Sequence, residues 1–222
     1  MRALTFLIGL LLLPACWAAS LTLYHLLNNL NPGESLFSTE ALWLSGGALV
    51  FLLLCSILPA PTRTYVFGHE LTHAIWAKAF RAKVSNFKVS KKGGSVTVSR
   101  NNFLITLAPY FFPIYTMIVI IMYFGLYPFI DVTHYAHWWL GLLGFTWSFH
   151  ITFTIVVLAQ HQPDVQVYGK LFSYVIIYLF NVLGLCLWIV IISEPTLELF
   201  VESFRLELIN LWEVARINLF HD

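Results

Sequence analysis

The chain has 222 residues, of which 59% are hydrophobic and 17% aromatic, and only 10% are charged. Charged residues at this frequency are too few to cover the surface of a water-soluble domain of this length. The formal net charge is +1, and no helix-turn-helix or base-stacking pattern accompanies the basic residues, which argues against a nucleic-acid-binding protein. We therefore expect an integral membrane protein that lies in the lipid bilayer.

Long apolar runs predict an all-α polytopic membrane protein with about six transmembrane helices. The first run, Leu4 to Leu27, follows Arg2 and has the small residues near Ala19 that are typical of signal peptides. Because the run continues past Ala19 to spanning length, we favour a retained helix over a cleaved leader. A polar turn is expected at residues 28–39, and the second span covers Ala41 to Leu58.

A third helix, predicted from Thr62 to about Phe80, contains the sequence His69-Glu70-Leu71-Thr72-His73. This is an H-E-x-x-H pentad, which on a helix places two imidazoles on one face, where both can bind one metal ion. Glu70 would lie beside them as a base. It is also the only carboxylate between Ala41 and Ile130, and an ionisable group in so apolar a stretch indicates a functional site.

The next segment predicts the single β element of the chain. Between Val84 and Ser99, apolar and polar residues alternate on both sides of Gly93-Gly94, which indicates a β-hairpin that turns at the two glycines. A fourth span, Phe103 to Phe124, is interrupted by Pro109 and Pro113. We expect its first half to be kinked or partly unwound, because proline cannot continue a regular helix.

Two more spans complete the predicted membrane domain, one from His137 to Ala159 and one from about Val167 to Ile192. After Pro195, apolar and charged residues separate onto two sides of a helix, which predicts an amphipathic interfacial helix over residues 196–220. We interpret residues 1–222 as a single membrane-embedded domain with its core in residues 59–192.

Two histidines are too few for a catalytic zinc site, which usually has three protein ligands and one position for water. The candidates for the third ligand are polar residues at membrane depth or at the ends of spans: His134, His137, His150, His161 and Asp164. We favour Asp164, because it follows Pro163 at the start of a helix and because a carboxylate with two histidines is a recognised zinc-binding set. The alternatives are that Asp164 is a helix N-cap or a surface carboxylate, and that His150 is a core histidine.

These features together resemble the site-2 protease family of intramembrane zinc metalloproteases. The resemblance covers roughly residues 59–192 and rests on the H-E-x-x-H helix, the hairpin after it, and an aspartate at the head of a later helix. This chain differs from the family at Thr72, where the family usually has glycine, and at Gln162-Pro163-Asp164, where the family usually has Leu-Asp-Gly.

The resemblance implies proteolysis inside the membrane or at its edge. His69, His73 and Asp164 would bind Zn²⁺, Glu70 would be the general base, and the substrate would be a membrane-anchored protein. The hairpin would pair its exposed edge with an unwound stretch of that substrate, as in other cases of β-strand addition. The alternative is that this basic hairpin is a solvated cytoplasmic loop near anionic lipid. The location implied is the plasma membrane of a bacterium.

Two alternatives belong to other functional classes. One is a catalytically silent relative that acts as a membrane adaptor, although the intact Glu70 argues against it. The other is a haem-carrying or transport protein. Haem would favour facing histidines on two different spans, whereas His69 and His73 share one helix.

Overall fold

The structure is a computed structural model that describes residues 2–29, 38–90, 93–192 and 196–220. These residues form helices and one two-stranded antiparallel sheet. The helices are α1 (Arg2–Asn28), α2 (Thr39–Ile57), α3 (Thr62–Ala79), α4 (Phe103–Leu107), α5 (Ile114–Leu126), α6 (Ala136–Leu158), α7 (Pro163–Val167), α8 (Lys170–Ile192) and α9 (Leu197–Phe220). The strands are β1 (Val84–Ser90) and β2 (Gly93–Val98). Most of the turn predicted at residues 28–39 lies outside the described residues.

Within the described residues, four helices are long and apolar enough to cross a membrane, namely α1, α2, α6 with the turn before it, and α8. They are the helices of a membrane protein. The α4–α5 pair gives a fifth candidate span, bent by 83°. The predicted count of six is not confirmed, because α3 has only 18 residues and carries three charged side chains, Arg63, Glu70 and Lys78.

The chain divides into two compact units, and the first consists of residues 1–38 and 165–222. In this unit α1 packs along α8 and α9 around a small core of Ala19, Leu26, Val182 and Cys186. The predicted C-terminal amphipathic helix is α9, which packs Phe200 and Phe204 on that core and leaves Trp212 exposed. Its position at the membrane interface stays a prediction, as does the interpretation of the chain as one domain.

The second unit, residues 39–164, contains the predicted site. Helix α3 packs against the hairpin on one side and against α4 and the short 3₁₀ turn Ala108–Tyr110 on another. Helices α2 and α6 pack closely through glycines, and a Cβ atom at Gly47 would overlap the backbone of Gly141. Close contact between glycine-containing helices is typical of membrane proteins, where small residues let the backbones approach.

The hairpin forms in the predicted place, but its two glycines are not the turn. Gly93 pairs with Ser90 across the sheet, so both Gly93 and Gly94 belong to strand β2. The connecting residues, 91–92, lie outside the part of the chain that the structure describes. Gly94 packs against Glu70 of α3, whereas Gly93 has a backbone φ of +145°, which favours glycine, and a Cβ atom there would meet nothing within 4 Å.

The proline-containing stretch is broken, as the sequence predicts. Helix α4 ends at Leu107, the 3₁₀ turn contains Pro109, and α5 begins after Pro113. Proline removes the backbone donor that a continuous helix would need at these positions. The break places the carbonyl group of Ile105 and the side chain of Tyr110 beside the histidines of α3.

Candidate metal centre

His69, His73 and Asp164 each bring one ligand atom to a common point. The two Nε2 atoms lie 3.2 Å apart, and the Oδ2 atom of Asp164 lies 3.4 Å from Nε2 of His69 and 3.5 Å from Nε2 of His73. In a tetrahedral zinc site with bonds of about 2.0–2.1 Å, neighbouring ligand atoms are about 3.3–3.4 Å apart. The three atoms therefore have the spacing of one face of a zinc tetrahedron, so this donor set fits the ion.

Both histidines are oriented by partners at the other ring nitrogen. Nδ1 of His73 lies 2.8 Å from the backbone oxygen of Ile105, which only accepts hydrogen bonds, so this nitrogen carries the proton and donates. Nδ1 of His69 lies 3.1 Å from the phenol oxygen of Tyr65, one helical turn earlier on α3. In His73, protonation at Nδ1 leaves the lone pair of Nε2 directed at the common point, which is the arrangement of metal-binding histidines. His69 has the same arrangement when its Nδ1 donates to the oxygen of Tyr65.

Asp164 is oriented by a tyrosine. The hydroxyl of Tyr110 donates a hydrogen bond of 3.1 Å to Oδ2, the same oxygen that faces the histidines. Tyr110 is fully buried, with 0% of its surface exposed, whereas the Asp164 side chain is 28% exposed. Each of the three candidate ligands thus has an outer hydrogen-bond partner within the second unit.

Glu70 lies next to this group but does not belong to it. It is 8% exposed, and it lines the same cavity as the three candidate ligands. Strand β2 packs directly on it: a Cβ atom at Gly94 would lie 2.5 Å from Cγ of Glu70 and 2.9 Å from its Oε1. Only glycine allows the strand to come so close. The Glu70 side chain therefore lies against β2, and a residue larger than glycine at position 94 would displace either the side chain or the strand.

The cavity has a volume of about 770 Å³, within the range of about 300–1,000 Å³ that is usual for ligand sites. Its walls combine apolar side chains of α6 with amide groups, among them Phe153, Val156, Asn101, Gln160 and Gln162. Five of the six residues of β2 also line it: Gly93, Gly94, Ser95, Val96 and Val98. One edge of β2 pairs with β1, and within the described residues the other edge has no strand partner.

The other candidate histidines are not part of this group among the described residues. His150 is buried in α6 and lines a second cavity of about 20 Å³ that adjoins His69. His137 stacks on Trp43, with ring centroids 5.8 Å apart, and His134 contacts Tyr135. His161 lies in the link between α6 and α7.

Thr72, the position at which the pentad differs from the site-2 proteases, is directed away from the large cavity. Its buried hydroxyl donates a hydrogen bond of 2.8 Å to the backbone oxygen of Gly68, one turn earlier on α3. The side chain instead lines the small cavity beside His150. Thr72 is therefore not among the residues that line the large cavity with His69 and His73.

Sequence reasoning did not identify the outer partners Tyr65, Tyr110 and Ile105. The spacing of Tyr65 and His69, four residues apart on one helix, was a usable signal, because such residues share a helix face. For Tyr110 the only signal was its place in the proline-interrupted segment. Ile105 contributes a backbone carbonyl, which no residue type reveals.

No protein-family model matches the chain, and the chain has no match among the curated proteins or the solved structures with which it was compared. The resemblance to the site-2 proteases therefore stays a prediction that rests on the motif residues.

Proposed function

We propose that this chain is a multi-pass intramembrane zinc metalloendopeptidase of the site-2 protease type, which cleaves a membrane-anchored protein. The observation that carries the proposal is the triangle of ligand atoms from His69, His73 and Asp164 beside the buried Glu70. We also propose the plasma membrane of a bacterium as its location, on the resemblance to that family.

His69, His73 and Asp164 would hold the ion, which when bound supplies Lewis acidity to a water molecule and to a peptide carbonyl. Glu70 is the group that moves the proton. Its carboxylate accepts a proton from the attacking water and passes it to the amine that leaves when the peptide bond breaks. Glu70 suits this role because it borders the cavity without joining the ligand triangle.

Strand β2 and the amides of the cavity wall suit an extended peptide. A substrate segment that is unwound from its helix can add its backbone to the edge of β2 that has no partner strand among the described residues. Asn101, Gln160 and Gln162 lie on the wall of the same cavity and offer both donors and acceptors to such a backbone. Main-chain hydrogen bonds of this kind would hold the scissile bond near Glu70.

The test is a comparison of membrane proteins from cells that express the parent chain or Glu70→Gln. New protein N-termini are labelled and identified by mass spectrometry in both samples. We expect new termini within or beside transmembrane segments with the parent chain and none with the variant, which should retain its zinc. Identical sets of termini in the two samples would contradict a peptidase and favour the membrane adaptor.

A further inference from the structure

Tyr110 contacts two of the three candidate ligands at once. Its hydroxyl lies 3.1 Å from Oδ2 of Asp164, and its ring meets the imidazole of His69 edge-on, with centroids 5.3 Å apart and planes at 85°. No atom of Tyr110 belongs to the ligand triangle itself. Its contacts are those of a side chain that acts on the metal centre through its neighbours.

The hydroxyl of Tyr110 contacts Oδ2 of Asp164, which is the oxygen that would bind the metal ion. Oδ2 of Asp164 is the atom that faces both histidines, and a carboxylate oxygen has two lone pairs. The O–H group of Tyr110 takes one lone pair and leaves the other for the ion. Because the phenol is neutral, it orients the carboxylate without competing with a metal ion as a second cation would.

Asp164 needs such support more than the histidines do. His69 and His73 lie one turn apart on α3, a helix of 18 residues, so their relative position is set by the backbone. Asp164 is the second residue of α7, which has only five residues. Its side chain is 28% exposed and has rotational freedom that an outer hydrogen bond would remove.

Tyr110 is well suited to give that support because its own position is fixed. It ends the 3₁₀ turn that contains Pro109, and its surface is 0% exposed. Each proline around it restricts the backbone, and the ring is packed against His69. The break in the α4–α5 segment therefore has a chemical role, which is to deliver a rigid donor to the third ligand.

We propose that Tyr110 is a positioning residue that orients Asp164 so that Oδ2, the oxygen that faces both histidines, would bind the zinc ion. This inference rests on the proposed zinc centre and adds a residue to it. Outer hydrogen-bond partners of metal ligands typically contribute about 10–100-fold to metal affinity. Tyr110→Phe removes only the hydroxyl, so it should weaken zinc binding by a factor of about 10–100 and leave the fold intact.

Tyr115→Phe is the matched control. Tyr115 also donates a hydrogen bond from its hydroxyl, 2.6 Å to the backbone oxygen of Thr64, and its ring contacts Phe149, not a candidate ligand. Zinc affinity is measured for the purified full chain by competition with a chromophoric chelator. Thermal unfolding of the metal-free proteins reports whether each variant folds. The Co²⁺ form should show a changed absorption spectrum in Tyr110→Phe and an unchanged one in Tyr115→Phe.

A double-mutant cycle separates positioning from general stabilisation. If Tyr110 acts through Asp164, then Tyr110→Phe should have no further effect on the residual zinc affinity of Asp164→Ala. The inference would be overturned if Tyr110→Phe lowered zinc affinity equally in the parent chain and in Asp164→Ala. It would also be overturned if Tyr110→Phe alone left the zinc affinity unchanged. A parent chain that binds no zinc would overturn the zinc centre as well, whereas a zinc-binding parent with an indifferent Tyr110→Phe would overturn only the role of Tyr110.

Discussion

Gly94 of strand β2 lies against the side chain of Glu70, so close that a Cβ atom at this position would be 2.5 Å from Cγ of the glutamate. The backbone of β2 touches the side chain of Glu70 on α3. The position of this proposed base therefore depends on the absence of a side chain at Gly94. This contact links the hairpin to the chemistry of the cavity.

We expect Gly94→Ala to lower peptidase activity by about 10²-fold, because the added methyl group displaces Glu70 or β2, and a shift of about 1 Å costs a factor of that size. Zinc content should stay unchanged, since the three atoms nearest to the added methyl group belong to Glu70 and Val66 and not to the candidate ligands. The matched control is Gly125→Ala, because a Cβ atom at Gly125 in α5 meets no neighbour within 4 Å. Full activity of Gly94→Ala in a cleavage assay would show that the contact is not needed.

The identity of the third ligand leads to a second prediction. His150→Gln should keep the bound zinc, because His150 lies on the small cavity and outside the ligand triangle. His73→Gln should lose most of it, because it removes one of three ligands. Both variants are prepared in the same detergent, and zinc is measured by atomic emission. Loss of zinc from the His150 variant alone would mean that the triangle is wrongly assigned.

Two adjacent glycines of α2 allow a third prediction, about stability. A Cβ atom at Gly47 would overlap the backbone of Gly141 in α6, whereas one at Gly46 meets nothing within 4 Å. Gly47→Ala should therefore destabilise the second unit by about 1–3 kcal/mol, the usual cost of overpacking. Gly46→Ala should be neutral or slightly stabilising, since alanine favours the helix. Thermal unfolding in detergent compares the two, and equal melting temperatures would argue against close α2–α6 packing.

The pattern of the sequence reveals the parts of the site that depend on local periodicity. Two histidines four residues apart must share a helix face, and Glu70 is the only carboxylate between Ala41 and Ile130. Asp164 is indicated by its place after Pro163 at the start of a helix. The hairpin is also predicted by a local period, since apolar and polar residues alternate over residues 84–99 as they do along a β-strand. The break at Pro109 is equally local, because it follows from a missing backbone donor.

The remaining features depend on tertiary structure. The sequence predicts the turn at Gly93-Gly94 because glycine favours tight turns, yet these residues belong to β2, where the packing of Gly94 on Glu70 requires the absence of a side chain. The count of six spans treated α3 as apolar, although its charged residues set it apart from the four candidate helices. The contact from Tyr110 to Asp164 joins residues that are 54 positions apart, which no local pattern encodes.

The zinc content of the purified full chain beside Asp164→Ala tests the central claim most directly. We expect about one zinc ion per parent chain and a marked loss in the variant, because two histidines alone make a weak site. Absence of zinc from both proteins, after purification without chelators and addition of Zn²⁺, would contradict the metal centre.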